Sequence, residues 1–181
     1  ARYSAVVISE RLKYVDILSG YSGEIYLGIS ENKEKISVTY SLFEALDKNS
    51  TIDDIYSLQK KLLFEARKED VIFKTTSVGP HRDDLEILIN GVSARSFGSQ
   101  GQQRSCALAL KLGESEIIKK ITGETPVALL DDVMSELDEK RQDYVMNHIQ
   151  DRQVFLTCCD PSQVLRLCGG KSFLVKGGEL T

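Results

Sequence analysis

The stretch "TPVALLDDVMSELD", Thr125 to Asp138, sets the fold class. It opens with a continuous apolar run bounded by Pro126 and two aspartates. Such a run reads as a buried strand of a parallel sheet, because a strand covered on both faces shows no polar alternation. The strand ends in Asp131 and Asp132, which places charge at the carboxyl end of a sheet, where α/β proteins bind ligands. In extended backbone the two carboxylates point to opposite sides. One can then hold Mg2+ through oxygen while the other orients or activates water. The same pair also suits a plain helix N-cap beside a loop. Ser135 to Asp138 follow as a tight polar turn, with Asp138 as N-cap of a helix from Glu139 to about Gln150.

Immediately upstream lies "FGSQGQQRSCALALKLGE", Phe97 to Glu114. Its second half is an amphipathic helix, expected from about Gln102 to Lys120. Its first half is Gly, Ser and Gln. A helix N-terminus carries unpaired N–H groups and partial positive charge, so it can receive an anion. Gly98 and Gly101 would let an anion approach the backbone, and Ser99 supplies a hydroxyl. An ordinary loop-to-helix entry with Ser99 as N-cap explains the same letters.

Further upstream, "DLEILINGVSARSF" reads as two strands around Asn90-Gly91. Downstream, "RQVFLTCCD" reads as another buried strand and "KSFLVKGGEL" as a final strand and turn. Strand–helix–strand alternation argues α/β. Residues 1–78 differ in texture. Val6, Val7, Leu12, Val15 and Leu18 predict a helix to about Ser19, and "SGYSG" reads as its break. "EIYLGIS" and "KISVTYSLF" read as strands of a small β-hairpin. A long charged helix follows from Thr51 to about Asp70, capped by Thr51 or Ser50, with Leu58, Leu62 and Leu63 on its apolar side. The expected organisation is a helical arm subdomain carrying a β-hairpin, residues 1–78, and an α/β lobe, residues 79–181.

The bulk numbers agree with a globular protein. The chain has 181 residues, 41% hydrophobic and 28% charged, with net charge −4. No apolar run approaches the ~20 residues of a membrane span, so no membrane partner is expected. No basic-plus-apolar leader opens the chain, and its first residues already read as mid-helix, so it is expected to begin inside a larger protein. The cysteines are Cys106, Cys158, Cys159 and Cys168, and the histidines His81 and His148. They form no CxxC pair and no zinc pattern, so buried free thiols in a reducing cytoplasm are expected. The acidic balance offers no overall electrostatic footprint for nucleic acid.

"GSQGQQR" resembles the signature motif of ABC-type ATPases, and "VALLDDVMSELD" resembles their Walker B strand and D-loop, in the right order. Together with "GPHRDDL", "INGVSARSFGSQGQQRS" and "KRQ", these motifs resemble the RecF family, SMC-like ATPases of DNA replication and repair. The resemblance covers roughly Val78 to Asp160 closely and the first half more loosely. It implies that residues 79–181 are the C-terminal part of an ABC/SMC-like P-loop ATPase lobe. It further implies that Ser99 and Gly101 contact the γ-phosphate of ATP bound to the opposite subunit. Gln102 matches the last signature residue. Gln100 stands where many relatives have Gly, and Gly98 where they have Leu. Asp131 matches the Mg2+ ligand and Asp132 the catalytic carboxylate, one methylene shorter than the usual Glu, which implies slow hydrolysis. Ser135 and Asp138 match the D-loop at the dimer interface. Cys158 stands where a switch histidine is usual. No "GxxxxGK[ST]" occurs in the chain, so the main phosphate grip is absent and this chain alone is expected to be inactive.

The function so implied is an ATP-switched homodimeric clamp. It would recognise gapped duplex or single-strand/double-strand junctions and help RecO and RecR load RecA. Lys60, Lys61, Arg67 and Lys68 give the arm a basic segment for phosphates. The competing reading is a non-catalytic interaction module with vestigial ATPase residues. "HRD" in "GPHRDDL" shares letters with the kinase catalytic loop, but Asn90 lies seven residues after Asp83 instead of five, and no DFG follows. His81, Arg82, Asp83 and Asp84 are read as a polar cluster without an assigned step.

Overall fold

A computed structural model describes residues 1–40, 46–134, 137–159 and 170–180. The chain opens with α1 (Arg2–Ile29), whose buried side chains include Ala5, Ile8, Leu12, Val15, Leu18, Ser22, Ile25, Tyr26 and Ile29. Those positions recur every three or four residues, the spacing of one helix face. Here the structure corrects the sequence. "SGYSG" does not break the helix, and "EIYLGIS" is its last turns instead of a hairpin strand. Of the small residues in "SGYSG", Ser22 serves packing. Ser22 is fully buried and donates its hydroxyl to the Leu18 carbonyl, so its polar atom is satisfied within the helix. Its backbone lies so close to α4 (Gln100–Thr122) that a Cβ on Gly113 would sit 3.1 Å from the Ser22 nitrogen. Apolar Ile25, Tyr26 and Ile29 then override the local glycine signal by burial.

A turn with left-handed Glu31 and Asn32 leads into β1 (Ile36–Tyr40). Its partner is β2 (Leu85–Ile89), antiparallel, with Ile36 opposite Ile89 and Tyr40 opposite Leu85. The first 78 residues thus hold no hairpin of their own among the described residues. The second half of "KISVTYSLF" lies partly outside the described residues. α2 (Ile52–Phe73) is capped by Thr51, whose hydroxyl accepts from the Asp54 N–H while Asp54 accepts from the Thr51 N–H. Ile55 and Gln59 are its buried positions, and Leu58, Leu62 and Leu63 are half-buried. Ala5, Ile8, Leu12 and Ile55 form a core between α1 and α2.

The Asn90-Gly91 turn is present, with both residues at positive φ, the geometry that two-residue hairpins favour. Its second strand is only β3 (Val92–Ser93), and "ARSF" continues as the short helix α3 (Ala94–Phe97). α4 then runs to a left-handed Gly123, whose N–H caps the Lys119 carbonyl.

The contacts group residues 1–124 as one compact unit and 125–181 as another. The second holds β4 (Ala128–Asp131), α5 (Glu139–His148) and β5 (Val154–Thr157), with β4 and β5 parallel and in register from Ala128–Val154 to Asp131–Thr157. The parallel pairing matches the sequence reading. Leu130 is buried while Leu129 and Phe155 are exposed. A small hairpin, β6 (Val175–Lys176) and β7 (Glu179–Leu180), closes the described chain. Among the described residues no helix is long and apolar enough to cross a membrane.

Candidate functional site

The small-residue entry to α4 is a capping box. Ser99 is the N-cap, and its hydroxyl accepts from the Gln102 N–H at 3.2 Å. The Gln102 side-chain oxygen accepts in return from the Ser99 N–H at 2.8 Å. This is the plain structural reading of the letters, and it leaves phosphate chemistry open. An accepting hydroxyl oxygen keeps its own hydrogen to donate, and Ser99 and Gln100 are exposed. Gly98 has a physical reason of its own: a Cβ there would lie 2.4 Å from the Ala94 carbonyl oxygen, where α3 ends. The signature-like loop can therefore follow α3 this tightly only with glycine, whatever the usual residue in ABC ATPases. Gln103 fastens the same loop from above, donating to the Ala94 and Gly98 carbonyls at 3.2 and 3.0 Å.

The carboxylate end is built differently. Asp131 is the last residue of β4, and its Oδ1 accepts from the Thr157 hydroxyl of β5 at 2.5 Å. The chain then leaves extended geometry. Asp132 has φ +51°, so the expectation of carboxylates on opposite faces of one extended strand does not hold. Its N–H donates to the Thr157 carbonyl and hydroxyl at 3.2 and 3.1 Å. Aspartate is among the few side chains that accept left-handed backbone readily, which gives a local reason for Asp at this position. Among the described residues no three His, Cys, Asp or Glu gather as a metal cage. Mg2+ that arrives with a nucleotide takes one or two carboxylates beside phosphate oxygens and waters, so a single Asp131 is a donor set that fits it.

Asp138 caps α5, accepting from the Arg141 N–H at 3.1 Å and pairing with the Arg141 guanidinium at 3.2 Å. Ser135 lies outside the described residues. A residue the sequence reading passed over holds this turn: Gln142, almost fully buried, donates to the Met134 and Leu137 carbonyls at 2.7 and 3.0 Å. A polar residue on the buried face of a short helix is the signal that could have found it. Cys158 is a half-buried free thiol and Cys159 an exposed one. Of the thiols expected to be buried, Cys106 alone is so among the described residues, and burial pushes it up to about 11. Cys168 lies outside them.

The "GPHRDDL" cluster is structural glue within the first unit. Tyr40 of β1 donates to Asp83, and Arg11 of α1 donates to the Tyr40 hydroxyl at 3.3 Å and to the Pro80 carbonyl. Desolvation raises the Asp83 carboxyl against the opposing pull of Tyr40, Arg11 and His81. His81 sits 2.9 Å from the Thr76 carbonyl, and Asp84 pairs with Arg95 at 3.1 Å on the surface.

No family model matches the chain. Among curated proteins it is similar to the DNA replication and repair protein RecF of Clostridium acetobutylicum, 44% identical over 158 residues, covering 87% of this chain and 42% of the relative. RecF of Oenococcus oeni is 43% identical over 181 residues, 98% of this chain and 48% of the relative. A solved structure of the recombination mediator protein RecF-ATPrS in the RecFOR pathway matches with TM-score 0.81 and 36% identity, over 99% of this chain and 47% of that one. The RecF-ATP structure of the same pathway matches with TM-score 0.70. The chain thus spans just under half the length of the relatives it matches.

Proposed function

Since the chain belongs with the RecF proteins over the part of them that it spans, we propose that it carries the trans-acting half of an ATP-switched dimer in DNA gap repair. Ser99 and Gly101 reach the γ-phosphate of ATP held by a second subunit, with Gln100 and Gln102 completing the turn. Asp131 holds Mg2+, Asp132 orients the attacking water, and Ser135 and Asp138 line the interface. Residues 1–78 serve as the arm and 79–181 as part of the ATPase lobe. In that arm Lys60, Lys61, Arg67 and Lys68 give α2 a basic segment for phosphates of gapped or junction DNA. RecO and RecR are the partners through which the dimer favours RecA loading. Hydrolysis is slow and belongs to the full-length protein in the cytoplasm.

One observation carries this reading: an exposed N-cap Ser99, with Gly98 before it and Gly101 two residues on, opens a long helix in a chain whose solved relatives are described as RecF-ATPrS and RecF-ATP. The helix dipole and first-turn N–H groups add favourable potential for an incoming phosphate. The test is sedimentation of the full-length protein in Mg2+, with and without ATP, beside Ser99→Arg. The expected result is an ATP-dependent dimer that the variant loses while its monomer still binds ATP. A dimer indifferent to both ATP and the substitution favours the interaction-module reading instead. That alternative draws on Phe64, Val71, Ile72 and Phe73, exposed along α2.

A further inference from the structure

Gln102 has a second partner outside its motif. Its side-chain nitrogen donates at 2.7 Å to Oε1 of Glu34, a residue 68 positions earlier in the chain. The other carboxylate oxygen of Glu34 accepts from the buried Tyr26 hydroxyl of α1 at 2.8 Å. Glu34 itself is held at both ends of its turn. Its N–H donates to the Ser30 hydroxyl at 3.2 Å, and next to it Lys35 exchanges two hydrogen bonds with Asn90, at 3.0 and 2.8 Å. A chain of contacts therefore runs from α1 through Glu34 and Gln102 to the Ser99 N–H.

We propose that Glu34 is a positioning residue for the signature-like turn, fixing the Gln102 amide so that Ser99 is presented to the nucleotide in one geometry. The proposal rests on the clamp reading above. A primary amide can turn either end toward the Ser99 N–H. Only its oxygen can accept that hydrogen, and a carboxylate facing the nitrogen selects that orientation because it cannot donate. The bond to Glu34 is charge-assisted, and hydrogen bonds in series strengthen one another. With Gln102 fixed, its oxygen holds the Ser99 backbone, and Ser99 meets an incoming phosphate without first paying to order its own turn. The same chain gives α1 a route to the nucleotide: a shift of Tyr26 releases one Glu34 oxygen and loosens Gln102.

The test is a double-mutant cycle in the full-length protein, reading ATP-dependent dimer affinity by sedimentation and ATP binding by the monomer. Glu34→Ala is expected to weaken the dimer about tenfold, the scale of one charge-assisted hydrogen bond, with monomer ATP binding within about twofold of wild type on the same scale. Glu34→Gln, which keeps an acceptor for Gln102 but loses the charge and can also donate, is expected to recover only part of the loss. In a Gln102→Ala background Glu34→Ala is expected to cost nothing further. Glu34→Asp, drawn back by one methylene, carries the same test if the alanine variant does not fold. Wild-type dimerisation of Glu34→Ala or Glu34→Asp, while Ser99→Arg abolishes it, would overturn the role of Glu34 alone. An undiminished loss in the Gln102→Ala background would also overturn it, since Glu34 would then act through the fold. A Ser99→Arg protein that still forms the dimer would remove the clamp reading and this inference with it.

Discussion

The Ser99 turn and the Asp131–Asp132 strand end are the two chemically marked regions of the molecule, and they are secured by different means. The first depends on distant parts of the chain. Glu34 reaches it from the α1–β1 turn, Gly98 permits the approach to α3, and α4 itself lies against α1 through Gly113 and Ser22. The second depends on its immediate neighbours. Thr157, on the adjoining strand, holds the Asp131 carboxylate and the Asp132 backbone together, and Gln142 holds the turn that follows. The contrast teaches that the motif letters give the candidate groups, while residues outside the motif contact and hold them. A defect in α1 packing should therefore reach Ser99, whereas the carboxylate end should respond to its own strand and helix.

Breaking α1–α4 packing tests that contrast most severely. Gly113→Leu forces a side chain against the Ser22 backbone and is expected to cost about 3 kcal/mol, the scale of overpacking in a close-packed core. Thermal unfolding monitored by circular dichroism would measure it, and a loss under ~0.5 kcal/mol, the scale of an ordinary surface change, would mean that the helices do not depend on this contact. Next in size, Gln142→Ala leaves the buried Met134 and Leu137 carbonyls without their donor and is expected to cost about 2 kcal/mol. Chemical denaturation read out in the second unit checks it, and Gln142→Glu, which keeps length but loses the donor pair, should not rescue.

The smallest effect concerns the Asp83 cluster and has a defined sign. Its folded carboxyl is raised above the ordinary 3.8, mainly by desolvation. The stability linked to its protonation is fully present below 3.8, the unfolded value, and is lost as pH rises through the raised folded value. Asp83→Asn is expected to flatten stability against pH from just under 4 upward. Melting temperatures of the two proteins at pH 7, 5 and 4 would show the wild type gaining on the variant as pH falls. Parallel curves would mean that Asp83 is solvated as an ordinary surface carboxylate.

How far the letters reached differs between elements for physical reasons. Thr51, Ser99 and Asp138 were legible as caps because an N-cap is a local bond between a side chain and an N–H two or three residues on. The Asn90-Gly91 turn was legible for the same reason, since positive φ is a property of those residues. "SGYSG" misled because glycine and serine weaken a helix locally, whereas here Ser22 is small enough for α1 to meet α4 at Gly113, and Ile25, Tyr26 and Ile29 regain through burial what the glycines lose.

By itself the sequence determined the order of the motifs, the α/β alternation, the caps and the identity of the candidate reacting side chains, all of which depend on neighbours within a turn or a strand. Only the tertiary structure decided that β1 pairs with β2, that Asp132 departs from its strand, and that Glu34, Gly98, Thr157 and Gln142 hold the marked residues in place. Of these, the β1–β2 pairing, Glu34–Gln102 and Thr157–Asp131 join positions far apart in the chain, and neither periodicity nor local propensity records which distant residue the folded backbone brings within hydrogen-bonding distance.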